Sequence, residues 1–240
     1  CILITMVMCH DNDEEYQHFL AERLIRNHRG VRFSREMHNI CDVPMDRRMD
    51  WPAFRLIHNR KYKAAQSRAD RSHQRLELAE RCFPPRIEAD PKDARSMFYL
   101  AGTYFDCGRF ETARDWFERY MPVSEWPHER YQAAMLLTQC YINLGDLLNA
   151  RATMSRHLVD NWRRAEGWIL LGDIAVAEFD WRQAEWWYKC ATLKEQPVDP
   201  LFVEVPAHTW EPHYKLYRTY QALQENQKAA MKGALASLEG

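Results

Sequence analysis

Glycine is scarce in this chain, eight residues in 240, and none lies in a Gly-rich loop that could cradle phosphates. Neither a G-x-S-x-G elbow nor an H-E-x-x-H helix occurs, which removes the usual serine-hydrolase and zinc-protease signatures. The seven cysteines, at positions 1, 9, 41, 82, 107, 140 and 190, are odd in number, widely spaced and form no C-x-x-C pair. They fit neither a disulfide framework nor a zinc site, and read as free thiols of a reducing compartment, the cytoplasm. Charge of one sign is also missing. The net charge is -1, so no overall field favours nucleic acid or an anionic membrane. Long apolar runs are absent apart from Ile2 to Met8, which is too short to span a bilayer and lacks the flanks of a signal peptide.

What is present is a globular balance, 46% hydrophobic and 28% charged, with nine tryptophans weighted toward the second half. Internal periodicity organises that half. Trp168, Leu171, Gly172 and Ala175 fall on one helical face, and Ala184 and Tyr188 follow on the next helix. One stride of 34 residues upstream, from Leu171 to Leu137, the same places hold Ala134, Leu137, Thr138 and Tyr141, then Gly145, Ala150 and Met154. A further 37 residues back, from Leu137 to Leu100, stand Met97, Leu100, Ala101 and Tyr104, then Gly108, Ala113 and Phe117. Small residues let helix backbones approach, large ones fill the space between layers, and glycine supplies the turn. No such hairpin buries its apolar face alone, so the units must stack.

This pattern resembles the tetratricopeptide repeat (TPR). It implies a mainly α chain: a solenoid of TPR-like helical hairpins over residues 90–196, then an irregular insertion and a capping helix pair over 197–240, and a small α/β segment over 1–89. The capping pair is expected from Leu216, Tyr217, Tyr220 and Ala229, with a polar turn at Gln224 to Lys228. The first helix of each TPR hairpin lines the concave face. Positions just beyond the packing set then give Arg95, Asp106, Gln132, Gln139, Asn143, Glu166 and Asp173 as groove candidates, with Gln139 and Asn143, one turn apart, placed to bond a ligand backbone. Trp168, Tyr141 and Tyr104 are expected at equivalent interior positions in successive layers.

Before Asp90 the pattern changes. Ile2 to Met8 reads as a buried strand, and Glu15 to Asn27 as a helix, because Tyr16, Phe19, Leu20, Leu24 and Ile25 recur at helical spacing. Val31 to Phe33, Met37 to Ile40 and Phe54 to His58 read as short strands, and Asp42 to Pro52 as loop. Ala64 to Cys82 reads as a helix closed by Pro84 and Pro85.

The order Arg23-Leu24-Ile25-Arg26-Asn27, Val31-Arg32-Phe33, Met37-His38-Asn39, Leu56-Ile57-His58 and Asp90-Pro91 is similar to the closing segment of family 2 glycosyltransferases that carry C-terminal TPRs. The resemblance implies that the chain is the C-terminal part of a nucleotide-sugar-dependent enzyme. His38 and His58 would then be the catalytic-site candidates. A divalent cation (Mn or Mg) and a nucleotide sugar would be bound by the complete parent, and a glycan acceptor or partner would be held by the repeats. Two departures stand against it. The family's His-Glu reads His38-Asn39, an amide that cannot act as a base, and its Asp-x-Asp metal motif is missing. Asp11-Asn12-Asp13 follows a strand but lies only ten residues before Arg23, and reads better as a helix-capping loop, so no metal ligand is assigned. The remaining histidines, His208 among them, show no ligand spacing and read as surface or helix-packing residues.

Two functions remain open: the scaffold part of a glycosyltransferase, or a stand-alone adaptor that binds a protein or peptide and performs no reaction. A third, a homo-oligomer built on exposed Trp162, Trp181 and Trp210, is less supported by the pattern.

Overall fold

The structure is a computed structural model that describes residues 2–9, 15–24, 33–34, 40–41, 49–59, 68–197 and 203–238, with side-chain environments for 72–197 and 203–228. Contacts divide the chain into two compact units, Cys1–Leu136 with Val198–Val205, and Leu137–Pro197 with Pro206–Gly240.

The first unit opens with a mixed sheet. Strand β1 (Ile2–Cys9) lies between β2 (Glu15–Leu24), which is antiparallel to it, and β5 (Met49–Asn59), which is parallel. A short strand from much later in the chain, β6 (Val203–Glu204), pairs with β2 through Gln17 and His18, giving the order β5-β1-β2-β6. Two-residue strands β3 (Phe33–Ser34) and β4 (Ile40–Cys41) form a separate antiparallel pair. The helix predicted over Glu15 to Asn27 is therefore a strand over Glu15–Leu24, and residues 25–27 lie outside the described residues. The strand's apolar spacing suits a helix, yet pairing along β1 on one edge, with β6 at Gln17 and His18 on the other, supplies the backbone bonds as a sheet, and pairing overrides pattern. The loop predicted up to Pro52 is also corrected, since β5 already begins at Met49. Proline is tolerated there because β5 is an edge strand and its register against β1 jumps from Asp50 to Arg55 across the proline.

Helix α1 (Arg68–Ala89) packs on α2 (Ala94–Asp106), and α2 on α3 (Phe110–Tyr120). Leu76, Ala79, Phe83 and Ile87 recur every three or four residues along α1 and are all buried. That apolar stripe carries the helix through Pro84 and Pro85, where the sequence predicts its end. Asp93 starts α2 by accepting from Ser96 N at 3.1 Å, relieving one of the unpaired N–H groups of the first turn. Gly108, at φ +72°, turns the chain into α3. Phe98 closes the layer with its ring 6.3 Å from Phe117 and 5.5 Å from Tyr120. Each such buried ring contributes about 1.5–3 kcal/mol relative to an exposed one.

Helix α4 (Pro127–Asn143) begins in the first unit and ends in the second. In the second unit its last turns bury Leu137, Thr138, Cys140 and Tyr141, and Gly145 at φ +77° leads into α5 (Leu147–Leu158), capped by Asp146. Helix α6 (Ala165–Ala177) packs on α5 and on α7 (Trp181–Thr192). All residues of α6 from Ala165 to Ala175 are buried except Trp168 and Asp173, which marks it as the centre of this unit. Phe179, at φ 59°, makes the α6–α7 turn, the place held by glycine in the two earlier hairpins. After a 3-10 helix (Val205–His208), α8 (Glu211–Leu238) packs on α7. It is one continuous helix. The predicted turn at Gln224 to Lys228 does not form, because that run is polar but contains neither glycine nor proline and every residue in it accepts helical backbone. Tyr141 is buried as expected, while Trp168 and Tyr104 are only partly so. By the repeat register, Trp168 matches Ala134 and Met97, whereas Tyr141 and Tyr104 match Ala175.

Candidate functional site

In the first unit, the candidate groove residues on α2 and the start of α4 engage neighbours. Arg95 places its guanidinium 5.0 Å from the centre of the Tyr99 ring, donates to Tyr99 Oη at 3.1 Å and lies 3.8 Å from Glu129 Oε2. Glu129 is itself buried and accepts from Tyr120 Oη at 3.1 Å, while Ser124 Oγ donates to the same phenol at 2.6 Å. Burial and the Glu129 carboxylate push the Tyr120 hydroxyl well above the usual tyrosine range, so it remains a proton donor. Asp106 is exposed and 3.8 Å from Arg75. Gln132 is half-buried, and its Oε1 is enclosed with no hydrogen-bond partner among the described residues.

In the second unit, Gln139 is half-buried and Asn143 exposed. Asn143 Nδ2 donates to the Gln139 carbonyl at 2.8 Å, one turn back along α4. Glu166 is buried and Asp173 half-buried, and each is paired within the unit. Arg164, at the N-cap of α6, places Nη2 2.9 Å from Glu166 Oε1, and His208 Nε2 lies 3.2 Å from Glu166 Oε2. All three side chains are essentially enclosed. Burial pushes the Glu166 carboxyl up, but the His208 hydrogen bond and the Arg164 charge outweigh it and hold the group at about 2. Two helical turns on, Asp173 accepts from Lys215 Nζ at 2.6 and 2.8 Å and from Tyr188 Oη at 2.6 Å. Burial and that carboxylate keep the Tyr188 phenol protonated. Lys215 also lies 3.7 Å from Glu211, whose carboxyl is raised by burial.

His208, read as a surface or helix-packing residue, is buried and paired with Glu166 of α6; the sequence pattern marks Tyr188 only as a packing residue and does not single out Lys215 or Arg164. A signal was nevertheless there. Glu166 and Asp173 are seven residues apart, as are His208 and Lys215, so two acids two turns apart face two bases at the same spacing.

Of the two histidines implied by the glycosyltransferase resemblance, His58 lies in β5 in register with Met8, and His38 lies outside the described residues. Among the described residues no cluster of three or more His, Cys, Asp or Glu could hold a metal, and no helix is long and apolar enough to cross a membrane.

No family model matches this sequence, and no curated protein matches it. Solved structures do match its fold. MamA is 16% identical with a TM-score of 0.53, the match covering 71% of this chain and 86% of that one. BtubC (BKLC) from P. vanneervenii is 18% identical with a TM-score of 0.53, covering 72% and 78%. The nearly identical TPR-like repeats of a putative kinesin light chain from Podosopora anserina are 17% identical with a TM-score of 0.50, covering 68% and 83%. At these identities the likeness concerns the fold alone. It establishes a mainly helical chain with a TPR-like repeat fold.

Proposed function

We propose that this chain is a stand-alone binding scaffold that receives a protein or peptide along the first-helix faces of its hairpins. The observation that carries this reading is the repeated helical-hairpin fold itself. Such hairpins cannot bury their faces alone, and their packed helices leave exposed faces for recognition. Among the groove candidates Glu166 is buried in its ion pairs and the half-buried Asp173 is engaged by Lys215, so either would meet a ligand only by giving up those partners. Gln139 and Asn143 are the pair best placed to meet an extended backbone, since amide side chains both donate and accept. The free thiols of Cys82, Cys107, Cys140 and Cys190 accord with a reducing compartment such as the cytoplasm.

The test is selection of peptides from a random display library on the purified chain, then calorimetry of a selected peptide. A scaffold gives micromolar binding that Gln139→Ala/Asn143→Ala weakens by about tenfold, equivalent to about 1.4 kcal/mol. Failure to select any peptide, or affinity untouched by the double substitution, overturns the reading.

The glycosyltransferase parentage rests on the sequence resemblance alone, and the fold neighbours add nothing to it. On the adaptor reading, titration of the chain with nucleotide sugars and manganese or magnesium gives no binding heat, and a glycan acceptor gives none either. Micromolar nucleotide-sugar affinity would restore the enzyme reading and return His38 and His58 to consideration.

A further inference from the structure

We propose that the indole faces of Trp162 and Trp168 form a cleft for the alkylammonium group of a lysine side chain on a partner peptide, with Lys194 as its built-in occupant. None of these residues is a groove candidate, so the inference does not depend on the groove reading.

The geometry is that of a cation held by aromatic faces. Lys194 Nζ lies 4.6 Å from the centre of Trp168 and 5.3 Å from that of Trp162, both within the distance at which a ring quadrupole attracts a cation. The Trp168 ring is set in place before any ligand arrives. Trp168 Nε1 donates to the Trp162 carbonyl at 2.8 Å, and the Trp168 ring leans on Trp187 at 5.7 Å and on Trp186 at 6.3 Å. Trp186 and Trp187 in turn meet edge to face at 4.5 Å. Trp162 remains 52% exposed with Lys194 in its seat, so the cleft opens to solvent. Arg163 also stands 5.1 Å from the Trp162 ring, a second cation drawn to the same π system.

The contrast with the neighbouring lysines explains why Lys194 can leave. Lys215 is held by Asp173 at 2.6 Å and Lys189 by Glu185 at 2.6 Å, each anchored by a carboxylate. Among the described residues the Lys194 ammonium has neither an ion pair nor a hydrogen bond, and it is held by the two rings beside the Cys190 thiol. It sits just past the end of α7, on the non-helical stretch before Pro197, where swinging away breaks no helix. A tethered occupant competes with an effective concentration in about the millimolar range, so an incoming lysine needs other peptide contacts to displace it.

The test uses the full 15N-labelled chain and follows its indole N–H signals by NMR. The probes are N-acetyl-lysine methylamide and its neutral isostere, N-acetyl-norleucine methylamide. In Lys194→Ala the lysine derivative shifts the Trp162 and Trp168 signals saturably, at concentrations about tenfold below those needed in the unsubstituted chain. The norleucine derivative shifts neither, and Lys194→Ala/Trp162→Ala loses the response. Because Trp162 is exposed, that variant retains its other indole signals. Should it not, Trp162→Phe in the Lys194→Ala background keeps a ring of weaker π potential and gives intermediate affinity. Equal response to both probes, a response that survives loss of the Trp162 ring, or no response in Lys194→Ala overturns the proposal.

Discussion

Tyr188 lays its ring edge only 2.3 Å from the point where a Cβ on Gly172 would stand. The ring cannot retreat, because it is 2% exposed and its hydroxyl is fixed at 2.6 Å on Asp173. Gly172 is therefore a spacing residue: α6 and α7 approach this closely only without a side chain between them. Gly172→Ala should lower stability by about 1–3 kcal/mol through overpacking. A matched substitution should recover much of it. In the preceding layer Thr138 and Met154 hold the equivalent places, so Gly172→Ala/Tyr188→Met should be more stable than the two single changes added together predict. Denaturant unfolding of the four chains measures that coupling, and an additive result would show that the ring is free to move.

The α6–α7 turn holds the opposite opportunity. Phe179 adopts φ 59° with its side chain largely exposed, whereas Gly108 and Gly145 take the same left-handed conformation in the earlier turns. For a residue with a Cβ this conformation costs about 1–2 kcal/mol, part of which glycine returns through its greater freedom in the unfolded chain. Phe179→Gly should stabilise by about 1 kcal/mol, raising the melting temperature by a few degrees. Gly145→Ala should cost about 1 kcal/mol, since open space surrounds the position and the backbone alone resists the change.

Acid should act on the second unit through Glu166. Its carboxyl is held at about 2 in the folded state against an ordinary 4.5, so the fold binds that proton less readily than the unfolded chain. The resulting stability is complete above about pH 5 and disappears as the pH falls from 4.5 toward 2. The magnitude is on the order of 3 kcal/mol. Glu211 shifts the other way, raised by burial, so its ionisation disfavours the fold as the pH rises and partly masks the effect in the parent chain. Comparison with Glu166→Gln isolates the contribution of Glu166. The variant should be less stable by on the order of 3 kcal/mol at pH 7 and nearly equal to the parent at pH 2, if both are followed by urea unfolding. A gap independent of pH would mean that packing, not charge, carries the contribution of Glu166.

The hairpins were legible because their signals are local: Gly108 and Gly145 punctuate the helices, and Leu-small pairs recur at Leu100-Ala101, Leu137-Thr138 and Leu171-Gly172. The α6–α7 turn lacks its glycine, yet the flanking periodicity sufficed. The misreadings arose where distant chain decides local structure. The spacing of Tyr16, Phe19, Leu20 and Leu24 fits a helix, and only partners on both sides make β2 a strand. The polar run at Gln224 to Lys228 looked like a turn because polarity was given the weight that belongs to glycine and proline. The groove candidates were drawn from helix phase, and phase does not reveal whether an acid meets solvent or a base 42 residues later, as Glu166 and Asp173 do.

Pro84 and Pro85 stand inside α1 rather than at its end, and this too can be measured. Each removes an N–H from the helical ladder and crowds the carbonyl four residues before it, a cost of about 3 kcal/mol in an unconstrained helix. The helix persists because Phe83 and Ile87, on either side of the pair, are buried. Pro85 is exposed, so replacing it removes no core contact. Pro85→Ala should restore one backbone bond and raise stability by about 1–2 kcal/mol, after allowing for the greater freedom alanine gives the unfolded chain. Phe83→Ala should do the reverse, costing about 3–5 kcal/mol and exposing the amides after Pro85 to faster hydrogen exchange than those before Phe83. If Pro85→Ala were neutral while Phe83→Ala left exchange uniform along α1, the helix would be continuous for some reason other than its apolar stripe.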